Sequence, residues 1–226
     1  MNYKSVTFTN NNNETLSGNL YLSNVKTNEG VLFAHGLFSN KDAYKINTIA
    51  KDLTDSGFSL LTFNFSFIEY NSISTITIEQ ELQDLYSAIH FFTSQGIEHI
   101  HLIGSSMGGL VSLLAAINKK FTLKSLVLIA TPVDTQLLIN TMADINENTM
   151  AKPESTTEID SIPIKNRFFI ELYSLQIAQY LHSITVPTLI IHGKQDAVVL
   201  FKNVEILQKK LICINKLVAI EDGDHS

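Results

Sequence analysis

A chain of 226 residues is long enough to bury one sizeable α/β core, and with 45% apolar and 17% charged residues it reads as folded, not disordered. Its net charge of −6 offers no basic surface, so neither nucleic acid nor an anionic membrane is expected as a partner. A single cysteine, Cys213, excludes an internal disulfide. No apolar run reaches the length of a membrane span, and the polar start lacks a secretory apolar region, so the cytoplasm is the expected location.

Taken in order, residues 5–10 and 15–23 alternate apolar and polar side chains around Asn10-Asn11-Asn12-Asn13. This predicts an antiparallel hairpin at a sheet edge, with asparagines that need no role beyond the turn. Residues 30–34 (Gly-Val-Leu-Phe-Ala) form a continuous apolar run, as in a strand buried on both faces, and end at His35-Gly36-Leu37-Phe38-Ser39-Asn40. Helical periodicity covers 43–56 and stops at Gly57. A strand is expected over 59–65 and a loop to about Thr77. A helix follows over 78–94, with Leu82, Leu85, Ile89 and Phe92 on one face.

Residues 99–105 read as the next strand, 106–118 as a helix, and 125–130 as another strand, broken by Thr131-Pro132. After a long interval come a strand over 187–193, a helix over 204–211 and a last strand over 216–220. Alternating strands and helices predict an α/β fold: a mostly parallel central sheet with an N-terminal antiparallel hairpin and helices on both faces. The interval 133–185 is too long for an ordinary connection. Its middle, 143–165, is polar and carries Pro153 and Pro163; its end, 167–183, is amphipathic and helical. Leu137, Leu138, Ile139, Met142, Phe168, Phe169, Leu172 and Tyr173 are too apolar to leave in water. The chain therefore divides into a core of 1–132 plus 186–226 and a cap or lid inserted at 133–185.

Chemistry concentrates where the strands end, as expected at the carboxyl edge of an open parallel sheet. Gly104-Ser105-Ser106-Met107-Gly108 is a G-x-S-x-G pattern in a strand–turn–helix context. Such a turn strains the backbone of Ser106 and exposes its hydroxyl, the glycines on either side let strand and helix approach, and the helix start offers free N–H groups to an oxyanion. Ser106 is the candidate nucleophile. Ser105 is its neighbour, but only Ser106 has glycine both two before and two after. The turn at His35-Gly36-Leu37 would aim the Leu37 N–H at the same place, giving with the Met107 N–H a two-donor oxyanion hole; losing one such donor costs roughly 3–4 kcal/mol of barrier. Asp196 lies just past one strand in His192-Gly193-Lys194-Gln195-Asp196, and His225 in the loop after the last strand, in Asp222-Gly223-Asp224-His225. The chain order Ser106, Asp196, His225 is that of one hydrolase architecture.

Alternatives stay open at this point. Asp134, after Thr131-Pro132-Val133, is a second candidate acid. His35 and His192 sit beside glycines at strand ends, where either a base or a ring bonded to backbone would fit. His90, His99, His101 and His182 read as structural or exposed. No H-x-x-x-H, C-x-x-C or Gly-Lys-Ser/Thr spacing suggests a metal, phosphate or other cofactor site, so no cofactor is expected.

With those segments in view, the chain resembles an α/β-hydrolase-fold serine hydrolase, and within that group the bacterial carboxylesterases of the cinnamoyl/feruloyl-esterase type. The resemblance spans nearly the whole chain and rests on residues 35–41 (His-Gly-Leu-Phe-Ser-Asn-Lys), 104–109 (Gly-Ser-Ser-Met-Gly-Gly), 191–196 (Ile-His-Gly-Lys-Gln-Asp) and 223–225 (Gly-Asp-His). It implies a Ser106–His225–Asp196 triad, Leu37 and Met107 as oxyanion donors, and a lid over 133–185 lining the pocket. The expected function is hydrolysis of a small-molecule carboxylic ester through an acyl-enzyme. The same site would serve a thioesterase, an amidase or peptidase, or an acyltransferase, and a catalytically silent ligand-binding module is the alternative from another class. Two departures stand out. Such relatives usually carry an Arg-Gly-x-Gly segment where this chain has Phe67-Ile68-Glu69-Tyr70. They also continue past the histidine with a helix, whereas this sequence reaches Ser226 one residue after His225. Either the sequence is shortened, or another element or subunit must hold His225 in place.

Overall fold

A computed structural model of the chain describes residues 3–142, 145–159 and 161–225. Met1 and Asn2 of the polar start, Ala143, Asp144 and Asp160 of the long interval, and Ser226 lie outside the described residues.

The alternating start forms β1 (Lys4–Thr9) and β2 (Thr15–Tyr21), an antiparallel hairpin closed by the asparagine turn with Asn13 at φ 62°. Asn10 does more than turn the chain. It is buried, and its amide donates to Asp84 Oδ1 and to Glu14 Oε2, both at 2.8 Å. The apolar run becomes β3 (Glu29–Ala34), buried along nearly its whole length, followed by α1 (Tyr44–Asp55). Ile46, Ala50 and Thr54, spaced by four, face a sheet surface made by Tyr21, Val31, Phe33, Leu60 and Ile103.

β4 (Ser59–Phe63) leads into residues expected as loop, where the chain instead forms a short helix, α2 (Ser66–Glu69), and a 3-10 turn at Ile73–Thr75. Ser66 N–H donates to the buried Asp84 carboxylate at 2.7 Å, and Glu69 accepts from Ser17 N–H at 3.2 Å. These bonds shape the segment that lacks Arg-Gly-x-Gly. α3 (Ile78–Ser94) starts at an N-cap, Thr77, whose hydroxyl accepts the Gln80 N–H, and buries Leu82, Leu85, Ile89 and Phe92 as its periodicity predicts. β5 (His99–Ser105), α4 (Met107–Asn118) and β6 (Leu123–Ile129) follow.

The interval after β6 is more structured than its composition suggests. It contains α5 (Thr135–Thr141), α6 (Glu147–Met150), a hairpin of β7 (Thr156–Ile159) and β8 (Ile162–Lys165), and α7 (Asn166–Ser174). The helix expected to run to 183 ends at Ser174; 3-10 turns at Ile177–Gln179 and Leu181–Ser183 bury Ile177 and Leu181 instead. Leu138, Ile139, Phe168, Phe169 and Leu172 are buried, but Tyr173 stays 46% exposed. The Glu171 carboxylate accepts the Ile78 and Glu79 N–H groups at 3.0 and 3.2 Å, fastening α7 to the start of α3 where a helix end favours a negative charge. β9 (Thr188–Gly193), α8 (Lys202–Lys210) and β10 (Asn215–Ile220) complete the chain.

Among the described residues eight strands make one sheet, in the order β1-β2-β4-β3-β5-β6-β9-β10. β1 with β2 and β2 with β4 are antiparallel, and the other neighbours are parallel. α1 packs on one face; the larger core lies on the other, drawing on α3, α4, α7 and α8. The carboxyl ends of β3, β5, β9 and β10 therefore bring His35, Ser106, Asp196 and His225 to one edge.

Close approach at that edge depends on Gly108. A methyl group there would sit 2.2 Å from the Ala34 carbonyl oxygen and 2.4 Å from that of His35. Both are backbone atoms, so α4 or β3 would have to move. Gly108→Ala is expected to destabilise the fold by about 3 kcal/mol, outweighing the roughly 1 kcal/mol that alanine gains over glycine in a helix. Urea midpoints of the two proteins check this; an unchanged midpoint would contradict the packing described.

Candidate active site

Ser106 occupies the turn between β5 and α4 with φ 52° and ψ −117°, a conformation that costs a non-glycine residue of order 1–3 kcal/mol. The turn is held by its own N–H bonding to the Ile129 carbonyl at 2.8 Å and by its carbonyl accepting from Gly109 and Leu110. The hydroxyl lies 3.0 Å from His225 Nε2. On the other side of that ring, Nδ1 lies 2.8 Å from Asp196 Oδ2. The sequence left Asp134 open as the acid. Its carboxylate instead accepts the Leu137 N–H at 2.9 Å and caps α5.

Asp196 is almost fully buried and accepts at both oxygens. Besides His225 on Oδ2, the Val198 and Val199 N–H groups donate to Oδ1 at 3.0 and 2.7 Å. Burial alone would push its carboxyl up. The His225 ring and the Val199 and Val198 N–H groups more than offset that, and hold the group below the ordinary carboxylate value. An ionised Asp196 fixes the proton on His225 Nδ1, leaving Nε2 free to accept from Ser106.

The loop carrying His225 is held by the neighbouring one. Gln195 N–H donates to the Gly223 carbonyl at 2.9 Å, and Lys194 N–H to that of Ile220 at 2.8 Å. Gly193 makes this contact possible, since a methyl group there would lie 2.2 Å from the Gly223 oxygen. The loop after β9 thus bonds directly to the loop that carries His225.

Ser106 and His225 open onto a cavity of about 870 Å³, with Asp196 buried behind the His225 ring. Leu37, Phe38 and Met107 line it from the sheet edge, and Leu138, Ile159 and Phe169 from the interval between β6 and β9. Both expected oxyanion residues, Leu37 and Met107, therefore border the Ser106 pocket. Ser105 borders it too but is largely buried. Among the described residues no group of three or more His, Cys, Asp or Glu side chains is arranged to hold a metal ion, and no helix is long and apolar enough to cross a membrane.

Residues 30–163, more than half of the sequence, match the alpha/beta hydrolase fold family. The chain belongs to that family. No curated protein matches the sequence. Among solved structures, this alpha/beta hydrolase is similar to the esterase domain of a Rhodothermus marinus protein, with 25% identity, a TM-score of 0.74, and 100% of this chain and 90% of that one covered. It also resembles Est1E from Butyrivibrio proteoclasticus, whose structure with ferulic acid superposes at a TM-score of 0.85 and 17% identity, covering 97% of this chain and 90% of that one. The Pyrococcus furiosus esterase Pf2001 superposes at 0.71 and 20% identity, covering 99% and 84%.

The two other histidines at strand ends of this alpha/beta hydrolase bond to backbone. His35 donates from Nδ1 to the Gly36 carbonyl at 2.8 Å and accepts the Phe65 N–H at Nε2, at 3.3 Å, which fixes a neutral ring against Phe65. Burial pulls its pKa down to about 4, against a weaker lift from the Gly36 carbonyl. Between pH 6.5 and 4 the unfolded chain takes up a proton that the folded ring refuses, so this contribution is fully present above pH 6.5 and is lost as pH falls towards 4. The loss amounts to roughly 3 kcal/mol. A His35→Asn variant is expected to show a shallower fall in urea midpoint between pH 7 and pH 4; an identical fall in both proteins would contradict the assignment.

Proposed function

We propose that the protein hydrolyses carboxylic esters through an acyl-enzyme on Ser106. The observation that carries this reading is the hydrogen-bond series from Ser106 through His225 to Asp196, at 3.0 and 2.8 Å, at the mouth of a largely apolar cavity. His225 Nε2 takes the hydroxyl proton as Ser106 Oγ attacks the ester carbonyl. Asp196 holds the ring and offsets the imidazolium charge that forms. The oxyanion is received by the Leu37 and Met107 N–H groups, the second at the start of α4, where the helix dipole favours negative charge. His225 then returns its proton to the leaving alkoxide. Water, activated by the same ring, releases the acid and frees Ser106.

In this reading residues 133–185 form a cap. Leu138, Ile159 and Phe169 furnish the apolar wall against which an acyl group packs. The esterase names among the similar structures are consistent with the reaction class. A ring 3.0 Å from the hydroxyl supports catalysis over the silent-module alternative, which rests on a misplaced base.

A fluorophosphonate probe tests the reading, with p-nitrophenyl esters of increasing acyl length as substrates. Stoichiometric labelling of Ser106 with parallel loss of ester turnover is expected. A protein that remains unlabelled while turning esters over would sink the mechanism.

A further inference from the structure

We propose that His192 is a positioning residue for this reaction, clamping the loop that presents Asp196 to His225; the proposal rests on the serine-hydrolase reading above. His192 is the penultimate residue of β9, its ring is buried, and it touches neither the Ser106 hydroxyl nor the cavity. Its Nε2 lies 2.7 Å from the Val199 carbonyl oxygen. A carbonyl only accepts, so Nε2 carries a proton and donates it. Nδ1 is buried and has no hydrogen-bond partner among the described residues.

The Val199 carbonyl belongs to the residue whose N–H donates to Asp196 Oδ1 at 2.7 Å. The ring thus pins Val199 from one side while Asp196 holds it from the other. The same Nε2 lies 3.5 Å from Asp196 Oδ2, the oxygen bonded to His225. The edge of the ring is braced against Phe201, with centroids 5.8 Å apart at 86°. A carboxylate with Oδ1 fixed by two backbone donors cannot swivel, and Oδ2 then points at His225 in one direction only.

Burying a ring nitrogen without a partner costs stability, and a phenylalanine at 192 would avoid that cost while filling nearly the same volume. What phenylalanine cannot supply is the N–H. The two roles therefore separate in one experiment. In His192→Phe, kcat per fluorophosphonate-titrated site is expected to fall about ten- to a hundredfold, with KM changed less than about twofold; counting per titrated site keeps this readout separate from any stability lost by the buried Val199 carbonyl. His192→Gln, which places an amide N–H at the ε position, is expected to recover most of the loss. Unchanged kcat per titrated site in His192→Phe, a loss confined to the number of active sites, or equal impairment in both variants would overturn the clamp. Ser106→Ala run alongside separates the failures: full turnover there removes the serine reading and the clamp with it, whereas its loss beside a normal His192→Phe removes the clamp alone.

Discussion

Replacing Ser106 with alanine is expected to lower kcat for a short p-nitrophenyl ester by about 10⁴- to 10⁶-fold, with little change in KM. The size follows from the proposed mechanism, in which the hydroxyl is the attacking atom and the variant keeps only what the oxyanion donors and the cavity contribute without a nucleophile. The fold should not change. The Ser106 hydroxyl bonds to His225, whereas the turn itself is held through the backbone, by Ile129, Gly109 and Leu110. Alanine keeps the Cβ, and with it the strain of φ 52°, so melting temperatures of the two proteins should agree closely. Ser105→Ala, one residue earlier on β5, is the control and should retain most turnover, because its buried side chain ends the strand rather than sitting at the turn. Full ester turnover by Ser106→Ala would end the proposal; loss in Ser105→Ala alone would move the nucleophile by one residue.

What the sequence revealed and what it hid follow one division. Strands β3, β5 and β9 were legible because each is an apolar run ending in a glycine-containing turn, and a parallel sheet sends all such ends to one edge. Ser106, Asp196 and His225 could therefore be picked by their position past a strand. The same position favoured Asp196 over Asp134, since Asp196 directly follows a strand in a glycine-containing turn, but it left Asp134 open; the 2.8 Å contact to His225, 29 residues away, and the helix cap made by the Asp134 carboxylate were not legible. The β7–β8 hairpin was hidden because its strands are four residues each, lie in a polar stretch and include Pro163, tolerated because a two-stranded ladder has only edges. The early end of α7 has no glycine or proline to announce it. The chain leaves the helix at Leu175 and buries Ile177 and Leu181 in the core, so packing overrides local preference. Buried Asn10 was read as turn because its partner Asp84 lies 74 residues away, and Glu171 was silent because its donors are the backbone of another helix.

Replacing Asp196 with asparagine is expected to reduce kcat/KM at pH 7 by about 10⁴-fold, and Asp134→Asn by less than about twofold. The reason lies in how the loop grips residue 196. Val198 and Val199 both donate to one side-chain oxygen, so an amide there must turn its only oxygen towards them and its NH₂ towards His225 Nδ1. Two donors cannot face each other. The imidazole then moves its proton from Nδ1 to Nε2, where it meets the Ser106 hydroxyl and can no longer accept from it. The geometry survives and the base is lost. At 134 the same exchange keeps an oxygen for the Leu137 N–H, and asparagine caps helices about as well as aspartate, so neither stability nor rate should move. Comparing the two variants on one ester, with Ser106 labelling rates measured on each, decides between the carboxylates. A small effect at 196 with a large one at 134 would reverse the assignment, and equal small effects would mean that the ring is oriented by something other than a carboxylate.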